Sequence, residues 1–211
     1  MVEAQVAFSV VAHASRLERA EDLAERLGAT LCVDEGAVGP NANHDAAWAM
    51  APSARWTVVL EDDAVLADGF EDFIPQLLTQ LPWRGAVSLY LGTERPPQIQ
   101  ASVATALRRA DVGGAGWLRS RRAWWGVALA LRSDMVPDML GFVAKSSAPY
   151  DERFSQWLLA RRIPCWYPVP SPVDHADLPT LIQHRDGAPR DRPRVAWRHG
   201  QPTGVPRFVS F

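Results

Sequence analysis

The stretch TVVLEDDAVL, residues 57–66, decides how this chain is read. An apolar, β-branched run of the kind that forms a buried parallel strand leads straight into three consecutive carboxylates, Glu61, Asp62 and Asp63. Unpaired charge at the end of a buried strand is costly, so something positive belongs beside it. A hard divalent cation with open water positions, Mn²⁺ or Mg²⁺, meets that need with one or two carboxylates. Successive side chains point in different directions, so at most two of the three acids can ligate one ion. Asp63 is the principal candidate, with Glu61 ligating directly or through water. The alternative is an exposed acidic turn in which Asp62 or Asp63 caps the next helix.

Outward from this point the chain alternates strand and helix. Residues 5–12 form a first buried strand, and Ser15 precedes a helix in which Leu17, Ala20, Leu23, Ala24 and Leu27 recur at helical spacing before Gly28 stops it. Residues 30–33 give a second strand, and residues 41–51 a helix capped by Asn41 or Asn43. After the acidic triplet, residues 69–81 form an amphipathic helix with Phe70, Phe73, Ile74, Leu77 and Leu78 inward, and residues 86–91 a fourth strand. Repeated units of this kind predict an α/β fold with a mostly parallel central sheet flanked by helices, whose ligands gather at the strands' carboxyl ends. Residues 101–110 predict a short helix, and the Gly- and Arg-rich stretch 111–122 a mobile loop. Residues 125–131 read as a strand, 134–142 and 150–162 as helices, and 163–169 as the last clear strand; from Pro170 the chain is dense in Pro, Arg and His.

Composition narrows the function classes. With 211 residues, 47% hydrophobic and 22% charged, the chain suits one well-buried domain. A net charge of −2 makes no general case for nucleic acid or anionic membrane, although arginine carries the positive charge almost alone, Lys145 being the single lysine. Cys32 and Cys165 are far apart in strand-like segments, which points to neither a disulfide framework nor a cysteine metal site. The first residues lack a basic region, and their apolar run is interrupted by Ser9 and His13, against a signal peptide or membrane span; a reducing cytoplasm is the natural setting.

The strand ending in EDD and followed by AVL, together with VAHASRLERAEDLAERLG (residues 11–28), DEG at 34–36 and NHDAAW at 43–48, resembles small GT-A-fold glycosyltransferases. These include phage-encoded ones and the lipopolysaccharide-type, procollagen galactosyltransferase-like group. The resemblance returns in PYDERFSQWLL (149–159) and PSPVDH (170–175), and weakens over 93–122 and beyond His184. It implies a GT-A catalytic domain over 1–170, with a donor half near 1–92, an acceptor half near 93–170, and an extension over 171–211 packing on or over the active site. In that fold the acidic motif holds Mn²⁺ or Mg²⁺ against the diphosphate of a nucleotide sugar, here a UDP-sugar, and Asp62 touches sugar or ribose hydroxyls. Glu61 stands where the motif usually has Asp.

The same resemblance assigns the remaining candidates. Ala12, His13, Ser15 and Arg16 follow the first strand, where the fold holds the nucleotide and a helix N-terminus favours an anion; alternatively Ser15 only caps that helix. Asp34 and Glu35 bind base or ribose, or are solvated turn residues. His44 and Trp48, on one helix face, read as packing rather than chemistry. Asp151, in a Tyr150-Asp151-Glu152 helix start, resembles the base that deprotonates the acceptor hydroxyl in inverting members, although acids in a first helical turn are favoured by the dipole alone. Trp125 and Gly126 offer a platform for the sugar, against plain core packing as one of nine tryptophans. His175 matches an additional metal or phosphate contact, with His184 second. Arg119, Arg121 and Arg122 close over the diphosphate, or are solvated. The acceptor, whether glycan, protein, lipid or modified nucleobase, is not specified by these residues. The rivals are a nucleotidyltransferase, which normally needs a glycine-rich phosphate loop that VAHASRLE lacks, and an idle sugar- or nucleotide-binding protein of the same fold.

Overall fold

A computed structural model of the chain describes residues 4–50, 54–79, 81, 84–179 and 192–211. Strand β1 (Ala4–His13) passes through a 3₁₀ turn over Ala14–Arg16 into helix α1 (Leu17–Leu27), which buries Ala20, Leu23, Ala24 and Leu27 and ends at Gly28 in the left-handed conformation, φ 58°. Strand β2 (Thr30–Asp34) leads to α2 (Gly39–Ala49), and β3 (Ala54–Glu61) carries the acidic motif at its end. The chain continues through β4 (Ala64–Leu66), α3 (Phe70–Thr79), β5 (Ala86–Ser88), α4 (Pro97–Gly113), β6 (Trp117–Ser120) and β7 (Ala128–Arg132). Then come α5 (Val136–Val143), α6 (Tyr150–Arg161), β8 (Cys165–Pro168), β9 (Val173–His175) and β10 (Phe208–Ser210).

Eight strands form one sheet in the order β10-β6-β8-β5-β7-β3-β1-β2, and β4 and β9 pair separately. Four neighbouring pairs are parallel, β1 with β2 and β3, β5 with β8, and β6 with β10. Three are antiparallel, β7 with β3 and β5, and β6 with β8. The fold is therefore a mixed α/β single domain with a large central sheet flanked by helices, more mixed than the leading βα units alone predict.

The topology places the site. The chain runs from β1 outward to β2, then crosses back to the other side of β1 to make β3, so the strand order reverses between β1 and β3. Helices on either limb of such a reversal diverge and leave a crevice at the carboxyl ends. His13 and Glu61 end β1 and β3 there. Antiparallel β7 starts at the same level, with Glu61 donating its N–H to the Val127 carbonyl at 2.8 Å, and the β4–β9 pair sets His175 opposite Ala64.

Several sequence expectations give way. The stretch 111–122 is not a mobile loop: α4 runs from Pro97 to Gly113, Gly114 caps it in the left-handed conformation, and Trp117–Ser120 is an interior strand of the sheet. The glycines mark a helix stop, and the prolines at 96 and 97 a helix start. Neither Asn41 nor Asn43 caps α2; both lie inside it, and Asn43 is buried, donating to the carbonyls of Ala12 and Cys32 at 3.0 and 3.1 Å. The last strand is not that of residues 163–169, because the tail adds β9 and an edge strand, β10. Cys32 and Cys165 are buried free thiols in β2 and β8. Among the described residues no helix is long and apolar enough to cross a membrane.

Helix α6, which presents Asp151, is anchored by Trp157, fully buried and donating its indole N–H to Asp138 of α5 at 2.8 Å. Trp157→Ala should lower unfolding stability by about 3–5 kcal/mol, read as a reduced urea midpoint at unchanged slope.

Candidate functional site

The acid triplet is assembled by one arginine. At the start of α1, Arg16 donates from Nη1 to Asp62 Oδ1 at 2.9 Å and to Asp63 Oδ2 at 2.8 Å, and from Nη2 to the Pro179 carbonyl at 2.6 Å. Arg19, one turn later, donates to the Asp62 carbonyl at 3.0 Å. Much of the positive charge that the buried acids require thus comes from α1, and Arg16 is not left free for a nucleotide. Asp62 accepts on both oxygens, its Oδ2 taking the His13 backbone N–H at 3.1 Å, and is only 5% exposed.

Asp63 differs. Its Oδ2 accepts from Arg16 and stands 3.3 Å from His175 Nε2, while its Oδ1 is buried with no hydrogen-bond partner. Burial, together with the charges of Glu61 and Asp62, pushes its carboxyl up to about 6 against the pull of Arg16. Glu61 is the acid of the three most open to solvent. Burial alone would raise its carboxyl, but His44, His175 and Arg194 bring it below the ordinary range. Arg194 belongs to the tail, and it is the arginine whose charge reaches Glu61. Arg119 lies instead over the Phe208 ring at 4.7 Å, and Arg122 over Trp124 at 5.7 Å; with Arg121 exposed on the turn between them, these do not form the expected lid.

Around the first strand, His13 replaces Ser15 as the cap. Its Nδ1 accepts the Ser15 N–H at 3.2 Å and pairs with Ser15 Oγ at 2.8 Å, and α1 itself has no side-chain cap. Both side chains remain open to a ligand. Ala12 is buried with its carbonyl committed to Asn43. Asp34 is turned into its own loop, Oδ1 accepting from Gly36 and Val38 at 2.8 and 3.3 Å, and those N–H groups outweigh burial to hold its carboxyl low. It organises the loop through that oxygen; Glu35 beside it is exposed.

On the other side of Glu61 stand Gly126, Tyr150, Asp151 and His44. A Cβ at Gly126 would lie 3.1 Å from the Tyr150 ring and 3.4 Å from Glu61 Oε1, so a side chain here would crowd the tyrosine and the space before the carboxylate. Trp125 is not a platform: it is 8% exposed, edge-on to Tyr90 and Tyr167, with its indole N–H bound to the Arg95 carbonyl at 2.6 Å. Asp151 Oδ1 accepts the Glu152 N–H at 2.9 Å, and burial, with the charge of Glu61, pushes its carboxyl up to about 6. His44, read from sequence as packing, belongs to the site: it stacks on Tyr150 with ring centroids 3.7 Å apart and points Nε2 at Glu61 Oε1, 3.4 Å away. Trp48, one turn on, is packing as expected, and its N–H fixes the Tyr150 hydroxyl at 2.9 Å. The i, i+4 spacing of His44 and Trp48 was the available signal. His184 lies outside the described residues.

Among the described residues no three His, Cys, Asp or Glu side chains form a ready-made metal cage. The orphaned Asp63 Oδ1 and the Glu61 carboxylate nevertheless fit an ion held by one or two carboxylates and otherwise by substrate phosphates.

The sequence matches no protein-family model and no curated protein. Among solved structures the chain is similar to a Drosophila β1,4-galactosyltransferase 7 mutant in complex with manganese, UDP-Gal and xylobiose, at 9% identity and TM-score 0.44, covering 88% of this chain and 81% of that one. It is also similar to a Bacillus anthracis protein described as a glucose-1-phosphate thymidylyltransferase, in complex with sucrose, at 11% identity and TM-score 0.40, covering 77% and 85%. A third is a glycosyltransferase involved in glycosylation of the major capsid of PBCV-1, at 12% identity and TM-score 0.34, covering 74% and 78%. Likeness this distant assigns no residue a role.

Arg16→Met should destabilise the protein by about 3 kcal/mol at pH 7, because two buried carboxylates lose their counter-charge. The loss should shrink towards pH 5 as Asp63, whose carboxyl burial holds at about 6, takes up a proton, measured by denaturant titration at both pH values. Asp151→Asn should raise the melting temperature at pH 7 by removing a charge that burial disfavours. Because the folded carboxyl titrates above its unfolded value, this gain is full above about pH 6 and vanishes as pH falls through 6 towards 4.

Proposed function

We propose that this protein is a glycosyltransferase that moves a sugar from a nucleotide-diphosphate donor, a UDP-sugar, to an acceptor hydroxyl by direct displacement. The observation that carries the reading is the pairing, at the carboxyl end of β3, of an ion-ready acid cluster with a separate carboxyl, Asp151, that burial holds at about 6. Two groups of opposite task in one crevice suit a reaction that must both stabilise a departing diphosphate and accept a proton.

The residues divide the work as follows. The half-buried His13 and exposed Ser15, with the start of α1 behind them, and the exposed Glu35 after neighbouring β2 offer the contacts for the nucleotide. Asp63 Oδ1 and Glu61 are the protein ligands for a divalent ion, which when bound supplies Lewis-acid stabilisation to the diphosphate oxygens. Asp151 takes the proton from the acceptor hydroxyl as its oxygen attacks the anomeric carbon and the bond to the diphosphate breaks. Arg16 keeps Asp62 and Asp63 folded into place throughout, and Arg194 offsets the negative charge at Glu61. Gly126 leaves room for the acceptor before Glu61.

Calorimetric titration with UDP should give binding that requires Mn²⁺ and is lost in Asp63→Ala, whereas Asp151→Asn should bind UDP normally and fail to transfer from a panel of UDP-sugars. Binding indifferent to both the ion and Asp63 would overturn the reading, and metal-dependent binding without donor hydrolysis or transfer would make the protein a binder.

A further inference from the structure

We infer that the imidazole ligand available to the divalent ion is His44, through its place beside Glu61, and not His175; this rests on the metal-dependent reading above. The two histidines that flank the acids are distinguished by what their other ring nitrogen does. His175 Nδ1 accepts the backbone N–H of Asp177 at 2.8 Å, which places the proton of the neutral ring on Nε2, towards Asp63. A nitrogen that carries a proton has no lone pair for a metal. His44 is the reverse case. Its Nδ1 lies 2.7 Å from the Pro40 carbonyl, which only accepts, so Nδ1 holds the proton of the neutral ring and the Nε2 lone pair lies on the side of Glu61. Metal-binding histidines characteristically donate their second N–H to a carbonyl or carboxylate in this way, which fixes both tautomer and ring orientation.

Distance and burial support the same choice. The His44 side chain is 7% exposed, and its buried Nε2 closes no hydrogen bond although it stands beside Glu61. Its 3.4 Å separation from Glu61 Oε1 is longer than the roughly 2.7–2.9 Å of a closed charge-assisted bond. It matches two neighbouring ligands on one ion, which for ligand bonds of about 2.1 Å stand about 3.0–3.4 Å apart in octahedral or tetrahedral geometry. The stack on Tyr150, whose hydroxyl is itself fixed by Trp48, holds the ring in that attitude before any ion arrives. Arg16, meanwhile, already occupies the space between Asp62 and Asp63. An imidazole in the set favours a transition ion such as Mn²⁺ over Mg²⁺, which prefers oxygen ligands throughout.

The test is Mn²⁺ bound with UDP to protein carrying ¹⁵N-labelled histidine, read by electron–nuclear double resonance, beside Mn²⁺ affinity from the free-ion spin signal. The wild type should show an imidazole ¹⁵N coupling that survives in His175→Gln and disappears in His44→Phe, a variant that keeps the stack on Tyr150. Mn²⁺ affinity should fall roughly tenfold or more in His44→Phe and stay within about threefold in His175→Gln. His44→Gln, which offers an oxygen in place of the ring, should likewise lose the coupling and serves where the phenylalanine variant does not fold. Coupling that persists without His44, or vanishes without His175, overturns the assignment while leaving metal-dependent UDP binding intact. Failure of the wild type to bind Mn²⁺ with or without UDP overturns both the assignment and the reading beneath it.

Discussion

The contact on which the rest of the site depends is the Arg16 guanidinium laid across Asp62 and Asp63. Three carboxylates in succession at the end of a buried strand repel one another and lose hydration, and without a local cation the turn after β3 would open towards water. Arg16 offsets that repulsion from a fixed position, because the 3₁₀ turn after β1 and the first turn of α1 aim it there. Arg19 and the His13 N–H bind the same turn through its backbone and through Asp62. The carboxyl ends of β1 and β3 are thereby closed into one rim, and the acid groups left outside the Arg16 contact, Asp63 Oδ1 and the Glu61 carboxylate, are pre-set instead of fluctuating.

A second constraint acts from the helices. Tyr150 opens α6 between His44 and Phe154, with its hydroxyl bound by Trp48, so α2 and α6 approach through a column of aromatic rings. Arg153, 3% exposed, adds a pair of bonds to Asp45 and one to the Asn41 carbonyl. Asp151 is adjacent in sequence to the stacked tyrosine and inherits its position from that column. A loop would not hold a carboxyl in partial burial with comparable precision, since its backbone samples many conformations.

The legibility of these features in the sequence follows their range. Strand β3 and its acids, helix α1 and its glycine stop, and helix α6 with Asp151 are set by neighbouring residues, and periodicity finds them. Arg16 is 46 residues from Asp62, so its role as counter-charge is invisible until β1 and β3 are side by side. Asp34 is the short-range counterpart: an acid at a strand end reads as a ribose contact, and one of its oxygens accepts from the next few N–H groups of its own loop, which spacing alone does not reveal. Strand β6 was hidden because Arg119 breaks its apolar alternation, and only the rings of Trp166 and Phe208, brought in by β8 and β10, make that arginine at home in a sheet.

The site also shows why a histidine's place beside an acid is poor ground for assigning its chemistry. Both His44 and His175 stand within 3.4 Å of a motif carboxylate through Nε2, and from sequence His175, on the last strand of the resemblance, looked the better ligand. Their backbones reverse the order. The N–H of Asp177 turns His175 into a donor that steadies Asp63, and the carbonyl of Pro40 turns His44 into an acceptor beside Glu61. One backbone group of opposite polarity behind each ring decides which histidine organises the acids and which is left with a lone pair to share.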